Sequence, residues 1–303
     1  AELDLTVSKK SSHGSSYPMA GVPVAELMPY LKALVERGYR VAVADQYETD
    51  DGHEREITRV VTPGTLLETT DASAQYLATV VRDDDDAWGL AFVDVTTGRF
   101  HVTQVASEAD AFTELYRFDP VEVLPGAALR EEDETIATLR SRTDATVTLH
   151  EANAFAPGAA THTLQSQFGE EALHSLGIEP GSPAVRAAGA ALDYVEETGL
   201  GVASSFTRLQ PYRADDHVEL DATTQRNLEL TETMHGDAAG SLVDTLDHTV
   251  TSAGGRLLRE WIQRPRRSID EIERRQDAVT ALAQAALARD AIRDTLADTY
   301  DLE

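Results

Sequence analysis

Three acidic residues stand where catalytic carboxylates could come together. Asp94 lies on the predicted strand 87–95, Glu122 lies at the start of a later strand, and Asp193 lies on a predicted helix at 182–198. Carboxylates clustered in this way can hold two metal ions and cleave a phosphodiester bond. Aspartate and glutamate together number 53 in this chain, so chance easily supplies such a set. A metal-dependent nuclease is therefore an alternative hypothesis and not the leading one.

Other catalytic signatures are absent from the 303 residues. The sequence has neither a G-x-x-x-x-G-K-[ST] phosphate loop nor an H-E-x-x-H zinc motif. It contains no cysteine, which excludes disulfides and thiolate metal sites and is typical of a reducing compartment. Its nine histidines are scattered, and no Ser-His-Asp order or nucleophile elbow is present. We therefore predict no catalytic residue and no metal site in this sequence.

The segment SSYPMAGVP, residues 15–23, is better suited to contact than to catalysis. Pro18 and Pro23 restrict the backbone around Met19, while Gly21 permits close approach or a positive φ. We expect no regular element here, but an extended and then turned backbone that holds an apolar corner stiffly. Such a corner can press into a nucleic-acid groove. The plain structural alternative is that Met19 fills the protein core.

The charge distribution singles out the same part of the chain. The formal net charge is −27, which suits a solvated acidic surface in an organism with high internal salt. Residues 1–41 nevertheless carry five basic side chains against four acidic ones, and they contain every lysine of the chain. Residues 254–267 are also basic, with five arginines against one glutamate. We expect a negatively charged partner to approach the lysine-bearing segment.

The elements that must position these residues form an α/β part followed by helices. The first unit is predicted to contain a strand at 3–7, a polar loop through SKKSSHGSS, a helix at 24–37, and strands at 39–44 and 56–61 around an acidic loop. The second is predicted to contain strands at 76–81, 87–95, 99–105, 121–125 and 146–150, with helices near 107–118, 131–142, 161–176 and 182–198. Its order of elements resembles the ribonuclease H-like arrangement. Helices are predicted at 222–230, 241–247, 252–263, 268–284 and 286–298.

Several motifs, all in one order, closely resemble the MutS family of DNA mismatch repair proteins. YPMAGVP, YLKALVERGYRVAVADQ and EITRVVTPGTL resemble the end of its mismatch-recognition domain, and GLAFVDVTTGRF resembles the opening hairpin of its connector. DATTQRNLEL, SLVDTLDHTVTSAGGRLLREWIQRP and the final YDLE resemble parts of its core domain. The resemblance implies a partial mixed α/β mismatch-recognition domain at 1–72, a ribonuclease H-like connector domain at 73–200 and a helical core-domain segment at 201–303.

The resemblance implies a fragment of a mismatch sensor of halophilic type, and the missing initiator methionine agrees with a fragment. The family's Phe-x-Glu wedge is expected upstream of residue 1. Its ATPase domain, which uses ATP and Mg and makes the parent a DNA-dependent ATPase, is expected beyond Glu303. This stretch alone is then not an enzyme and needs no cofactor.

The implied partners are mismatched double-stranded DNA, MutL and, for the parent, a second copy of itself. No apolar run is long enough to suggest a membrane, and the expected location is cytoplasmic. Two alternatives stay open: the metal-dependent nuclease, and a module that only docks MutL.

The resemblance also assigns DNA-binding residues one by one. The family's P-M-A-G turn lies against the DNA minor groove beside the mismatch, and a basic pair approaches phosphate. Carried over to this sequence, these residues are Lys9, Lys10, Pro18, Met19, Ala20 and Gly21.

Two departures from the family pattern bear on that assignment. The family's Tyr-His after the turn is replaced by Val24-Ala25, so any polar contact from the histidine is lost. The family's T-P-M-G is replaced by T-S-A-G at residues 251–254. The first change affects the expected DNA contacts, and neither alters the order of the motifs.

Overall fold

Three groups of elements follow one another along the chain in the computed structural model. The structure describes residues 3, 5–12, 15–35, 37–49, 52–66, 75–198, 201–213, 216–218, 220 and 222–298. Across these residues, α/β elements come first and helices follow. The predicted fold class, mixed α/β followed by all-α, is confirmed. The domain limits at residues 72 and 200 stay a prediction.

The first group contains two antiparallel β-ribbons and a helix. Its elements are β1 (Val7–Ser12), β2 (Ser15–Ala20), α1 (Leu27–Val35), β3 (Val41–Thr49) and β4 (Gly52–Val61). β1 pairs with β2, and β3 pairs with β4. Leu31 and Val35, one helical turn apart, are buried against Val61 and Leu66. This small core packs α1 against the β3–β4 ribbon.

Three predictions for this group are wrong. The predicted strand at 3–7 overlaps the observed β1 only at Val7, the first residue of β1. The segment SKKSS, predicted to be a loop, forms the rest of β1. The acidic loop near 48–56 also belongs largely to β3 and β4. The described side chains of the β1–β2 ribbon and those of the outer part of β3–β4, residues 44–48 and 53–57, are exposed, so these stretches need no alternation of apolar and polar residues. Without that alternation the sequence pattern gives no strand signal.

The second group is built on a six-stranded sheet. Its strands are β5 (Tyr76–Arg82), β6 (Trp88–Asp94), β7 (Arg99–Val105), β8 (Glu122–Pro125), β9 (Thr146–Val147) and β10 (Gln210–Pro211). The strand order is β10-β7-β6-β5-β8-β9, with β5–β6 and β6–β7 antiparallel and the other neighbours parallel. The central strands are buried on both faces, which explains their nearly continuous apolar sequences.

Helices cover both faces of this sheet. They are α2 (Glu108–Phe118), α3 (Ala127–Arg130), α4 (Asp133–Arg142), α5 (Pro157–Phe168), α6 (Ala172–Ser175) and α7 (Pro183–Glu197). α2, α3 and α4 pack on one face, and α5 and α7 pack on the other. Gly89 allows α7 to cross β6 closely, because a Cβ there would lie 2.0 Å from the carbonyl carbon of Pro183.

The third group is helical. It contains α8 (Ala222–Asn227), α9 (Leu242–Leu246), α10 (Ser252–Gln263), α11 (Ile269–Gln284) and α12 (Ala286–Ala297). The Oγ1 of Thr251 caps α10, and the Oγ of Ser268 caps α11 as its sequence predicts. None of the helices in the described part of the chain has the length and apolarity needed to cross a membrane.

Candidate nucleic-acid interface

The predicted DNA-contacting residues lie on the β1–β2 ribbon and on the turn that follows it. In the antiparallel register Lys9 lies opposite Pro18, and Ser8 lies opposite Met19. Directly opposed residues share a face of the ribbon, so Lys9 and Pro18 lie on one face and Met19 lies on the other. The Oγ of Ser8 donates a 3.1 Å hydrogen bond to the carbonyl oxygen of Met19.

The expectation that residues 15–23 form no regular element is wrong, because Ser15–Ala20 is β2. Proline within a strand is confined to edges, since it cannot donate to a neighbouring strand. Both strands of a two-stranded ribbon are edges, so Pro18 is tolerated there. Strand pairing in the ribbon therefore holds the backbone around Met19, in addition to the restriction expected from the prolines.

The apolar corner faces water. Met19 is 42% exposed, and Pro18, Ala20 and Gly21 are exposed as well. The hypothesis that Met19 fills the core is therefore wrong. Gly21 has no positive φ, and a Cβ built there would meet nothing within 4 Å. Nothing inside the described fold requires this glycine, whose bare backbone is open to approach from outside.

The ribbon is locally basic. Neither β1 nor β2 contains an aspartate or a glutamate, while β1 contains two lysines. Lys9 is exposed. The Cα of Lys10 lies opposite that of Tyr17, but the side chain of Lys10 lies outside the described part of the structure. A positive, partly apolar ribbon of this kind can approach phosphate groups while it presents a hydrophobic surface to base edges.

A buried carboxylate joins this first group to the six-stranded sheet. The side chain of Glu122 accepts hydrogen bonds from the N–H of Gly64 at 2.9 Å, the hydroxyl of Thr148 at 2.6 Å and the phenol of Tyr194 at 2.9 Å. Burial, reinforced by the Glu122 carboxylate, raises the pKa of Tyr194 above its usual range, which keeps the phenol a donor. The sequence suggested Glu122 only as a metal ligand, and its role in this junction was missed.

Three further contacts join β4 and Arg40, the residue before β3, to the end of α7. The N–H of Val60 donates to the carbonyl oxygen of Thr198 at 2.9 Å. Arg40 forms a 3.4 Å ion pair with Glu197, and its guanidinium lies 5.7 Å from the centre of the Tyr194 ring. The β3–β4 ribbon is thus connected by hydrogen bonds to the second group.

The carboxylates considered for a nuclease have other partners. Asp94 accepts hydrogen bonds from the Thr96 N–H, the Thr96 hydroxyl and the Thr97 hydroxyl at 2.9, 2.6 and 2.9 Å. These bonds stabilise the β6–β7 turn. Asp193 contacts the Nε2 of His150 at 2.7 Å. Within the described ranges no three acidic or histidine side chains are grouped to hold a metal ion. The nuclease alternative has no support.

Three family models match the chain in order. They are MutS domain I over residues 1–70, MutS domain II over residues 75–207 and MutS domain III over residues 223–303. A curated DNA mismatch repair protein MutS 1 from Haloarcula marismortui is 64% identical over 308 residues, covering 100% of this chain and 33% of the relative. The MutS 1 protein of Halobacterium salinarum is also 64% identical, with 99% of this chain and 35% of the relative covered.

The likeness extends beyond these two archaea. A DNA mismatch repair protein MutS from Thermosynechococcus vestitus is 35% identical over 318 residues, covering 100% of this chain and 36% of the relative. This chain therefore spans about a third of the length of the curated relatives that it matches.

Proposed function

This chain belongs to the MutS family, and from that premise we propose that it contacts mismatched double-stranded DNA through the β1–β2 ribbon. The contacting residues are proposed to be Lys9, Lys10, Pro18, Met19, Ala20 and Gly21. The observation that carries the proposal is the 42% exposure of Met19 on a ribbon that has lysines and no acidic residue.

The proposed contact is mainly steric. An apolar side chain on a stiff strand can press into the minor groove and favour a kinked, partly unstacked step. A mispaired step is easier to deform than a paired one, so deformability can supply selectivity. Because lysine is confined to the first 41 residues, few phosphate contacts are expected, and binding should persist at salt concentrations that screen ion pairs.

We further propose that the six-stranded unit relays binding to the rest of a longer protein. The Glu122 junction supports this proposal, because it fixes the turn after β4 to the sheet through a buried carboxylate. Proposed partners are MutL and, for the longer protein, a second copy of itself. ATP and Mg would act in an ATPase domain outside these 303 residues, and the proposed location is the cytoplasm.

The test is mismatch discrimination in a chain extended to the relatives' full length. Met19→Ala should lower the affinity ratio of mismatched to matched duplex, measured by fluorescence anisotropy. Val24→Ala is the matched control, because Val24 is a 90% exposed apolar residue just outside the ribbon. An unchanged ratio for Met19→Ala would contradict the proposal and favour a module that only docks MutL.

A further inference from the structure

A cavity of about 590 Å³ lies between the six-stranded sheet and α10. Tyr76, His101 and Phe118 line it from the sheet side, and residues from both ends of α10 line it from the helical side. Its volume falls within the range of small-molecule sites, roughly 300–1,000 Å³. The proposed DNA contact involves none of its lining residues, so the cavity needs an account of its own.

The cavity brings together the second basic stretch of the sequence and arginines of the sheet unit. In a chain where acidic residues are about twice as numerous as basic ones, basic side chains slightly outnumber acidic ones here. The arginines that line it are Arg99, Arg117, Arg256, Arg259 and Arg264. Of the four acidic side chains, Glu260 pairs with Arg99 at 3.9 Å, and Asp247 accepts two hydrogen bonds from Thr249.

Arg264, the residue after α10, lines this cavity and has two buried donors that lack an acceptor in the described part of the chain. Its side chain is buried, with only 7% of the residue exposed. The guanidinium lies 4.7 Å from the ring centre of Phe118 and 4.6 Å from that of Tyr212. Within the described part of the chain, its Nε and Nη2 have no hydrogen-bond acceptor, and its ion pair with Glu114 is long, at 4.0 Å. Buried donors without acceptors are costly, and a bound anion would satisfy them.

His101, which also lines the cavity, does not add to its positive charge. Burial, followed by the nearby charges of Arg264, Arg99 and Arg208, lowers the pKa of His101 to about 3. The imidazole is therefore neutral at pH 7, and the positive charge in the cavity belongs to the arginines. That charge favours a ligand with negative charge of its own.

We propose that this cavity binds a phosphate-bearing small molecule, with its phosphoryl oxygens against Arg264 and Arg256. Guanidinium groups recognise phosphate through paired N–H donors. The Nε and Nη2 of Arg264 lack acceptors but are buried, so the proposed binding requires the guanidinium to turn this edge toward the cavity. The site lies between the sheet and the helical segment, so occupancy would tie these two units together. This proposal does not depend on the DNA contact of the β1–β2 ribbon.

The test is isothermal titration of the 303-residue chain at constant salt, with pyrophosphate, ADP and adenosine as probes. These residues contain no P-loop sequence, so binding of ADP cannot come from that motif. Pyrophosphate and ADP are expected to bind and adenosine is not. Binding of pyrophosphate alone would assign the site to inorganic phosphates, whereas binding of ADP alone would assign it to nucleotides. Failure of both phosphate probes, or equal binding of adenosine and ADP, would overturn the proposal.

Variants then locate the site. Arg264→Met keeps much of the aliphatic packing and removes the donors, so it should weaken binding at least tenfold. Arg256→Met is the second variant, in case the first does not fold, and should also weaken binding severalfold. Arg274→Met is the matched control, because it removes one charge from an exposed position on α11. Equal weakening by the control would show a diffuse charge effect and overturn the proposal.

Discussion

The two β-ribbons of the first group have the same construction and opposite charge. β1–β2 carries two lysines and no acidic residue, whereas β3–β4 carries four acidic residues and two arginines. Each ribbon also exposes apolar side chains: Met19 is 42% exposed on the first, and Ile57 is 61% exposed on the second. Apolar exposure alone therefore does not single out the ribbon that we propose to contact DNA. Charge distinguishes the two.

The ribbons also differ in what they are connected to. β4 leads directly into the turn whose Gly64 N–H binds Glu122, and Val60 is hydrogen-bonded to Thr198. β1–β2 instead ends at the exposed corner around Met19. The comparison suggests a division of work, in which one ribbon contacts DNA and the other transmits its position to the sheet.

Breaking the junction should have the largest effect. Glu122→Ala removes the acceptor of three donors, so we expect a loss of about 3 kcal/mol or more in the free energy of unfolding. Urea unfolding measures this loss. Relative to the unsubstituted chain, hydrogen exchange should accelerate more at the Gly64 amide than at the β1–β2 amides. Glu122→Gln is the control, because it keeps one carbonyl acceptor. A loss below about 1 kcal/mol for Glu122→Ala would contradict the proposed junction.

Removing a charge from each ribbon sharpens the contrast. Lys9→Gln should weaken duplex binding by roughly tenfold at low salt, because a charge-assisted hydrogen bond to phosphate is lost. Arg55→Gln removes one positive charge from the exposed part of β4 and should change affinity by less than about twofold. Fluorescence anisotropy with one duplex serves for both variants. The assignment fails if Arg55→Gln is the more damaging change.

The salt dependence of duplex binding measures how many phosphate contacts are made, and so tests those proposed for the β1–β2 ribbon. Two lysines predict a slope of log K against log salt of about −2, and Lys9→Gln should make that slope shallower by about 0.9. The measurement is the affinity of the full-length protein for a mismatched duplex over a series of salt concentrations. A steep slope that persists in molar salt would show many more phosphate contacts than the ribbon can supply.

The smallest effect is expected at the surface of the junction. Arg40 and Glu197 are partly exposed, and such pairs contribute about 0.5 kcal/mol. Arg40→Met should therefore lower the free energy of unfolding by less than about 1 kcal/mol, with the urea midpoint as the measurement. Should this change match Glu122→Ala, the junction would depend on the outer ion pair and not on the buried carboxylate.

Helices are predicted well from the sequence where the spacing of apolar residues and an N-cap residue indicate the same helix start. α10 was placed correctly at 252–263, and the cap of α11 at Ser268 is confirmed. The strands β5, β6 and β7 were also recognised, because burial on both faces gives long apolar runs.

Long-range contacts could not be predicted in this way. Glu122 binds groups that lie 58 and 72 residues away in the chain, and no local pattern reports such a pairing. β1 and β2 were missed because an exposed ribbon has no buried face to create a period. Residue types and the family resemblance place Met19 in the candidate site, and this assignment stays a prediction. The exposure of Met19 required the structure.

One measurement tests the central claim most directly. The chain has no cysteine, so Met19→Cys and Ile57→Cys each create a single thiol, one on each ribbon. Each variant is reacted with a duplex that carries a disulfide tether in the minor groove beside a mismatch or at a matched pair. Met19→Cys should crosslink faster to the mismatched duplex than to the matched one, and Ile57→Cys should crosslink slowly to both. Equal rates for the two ribbons, or no preference for the mismatch at position 19, would contradict the account.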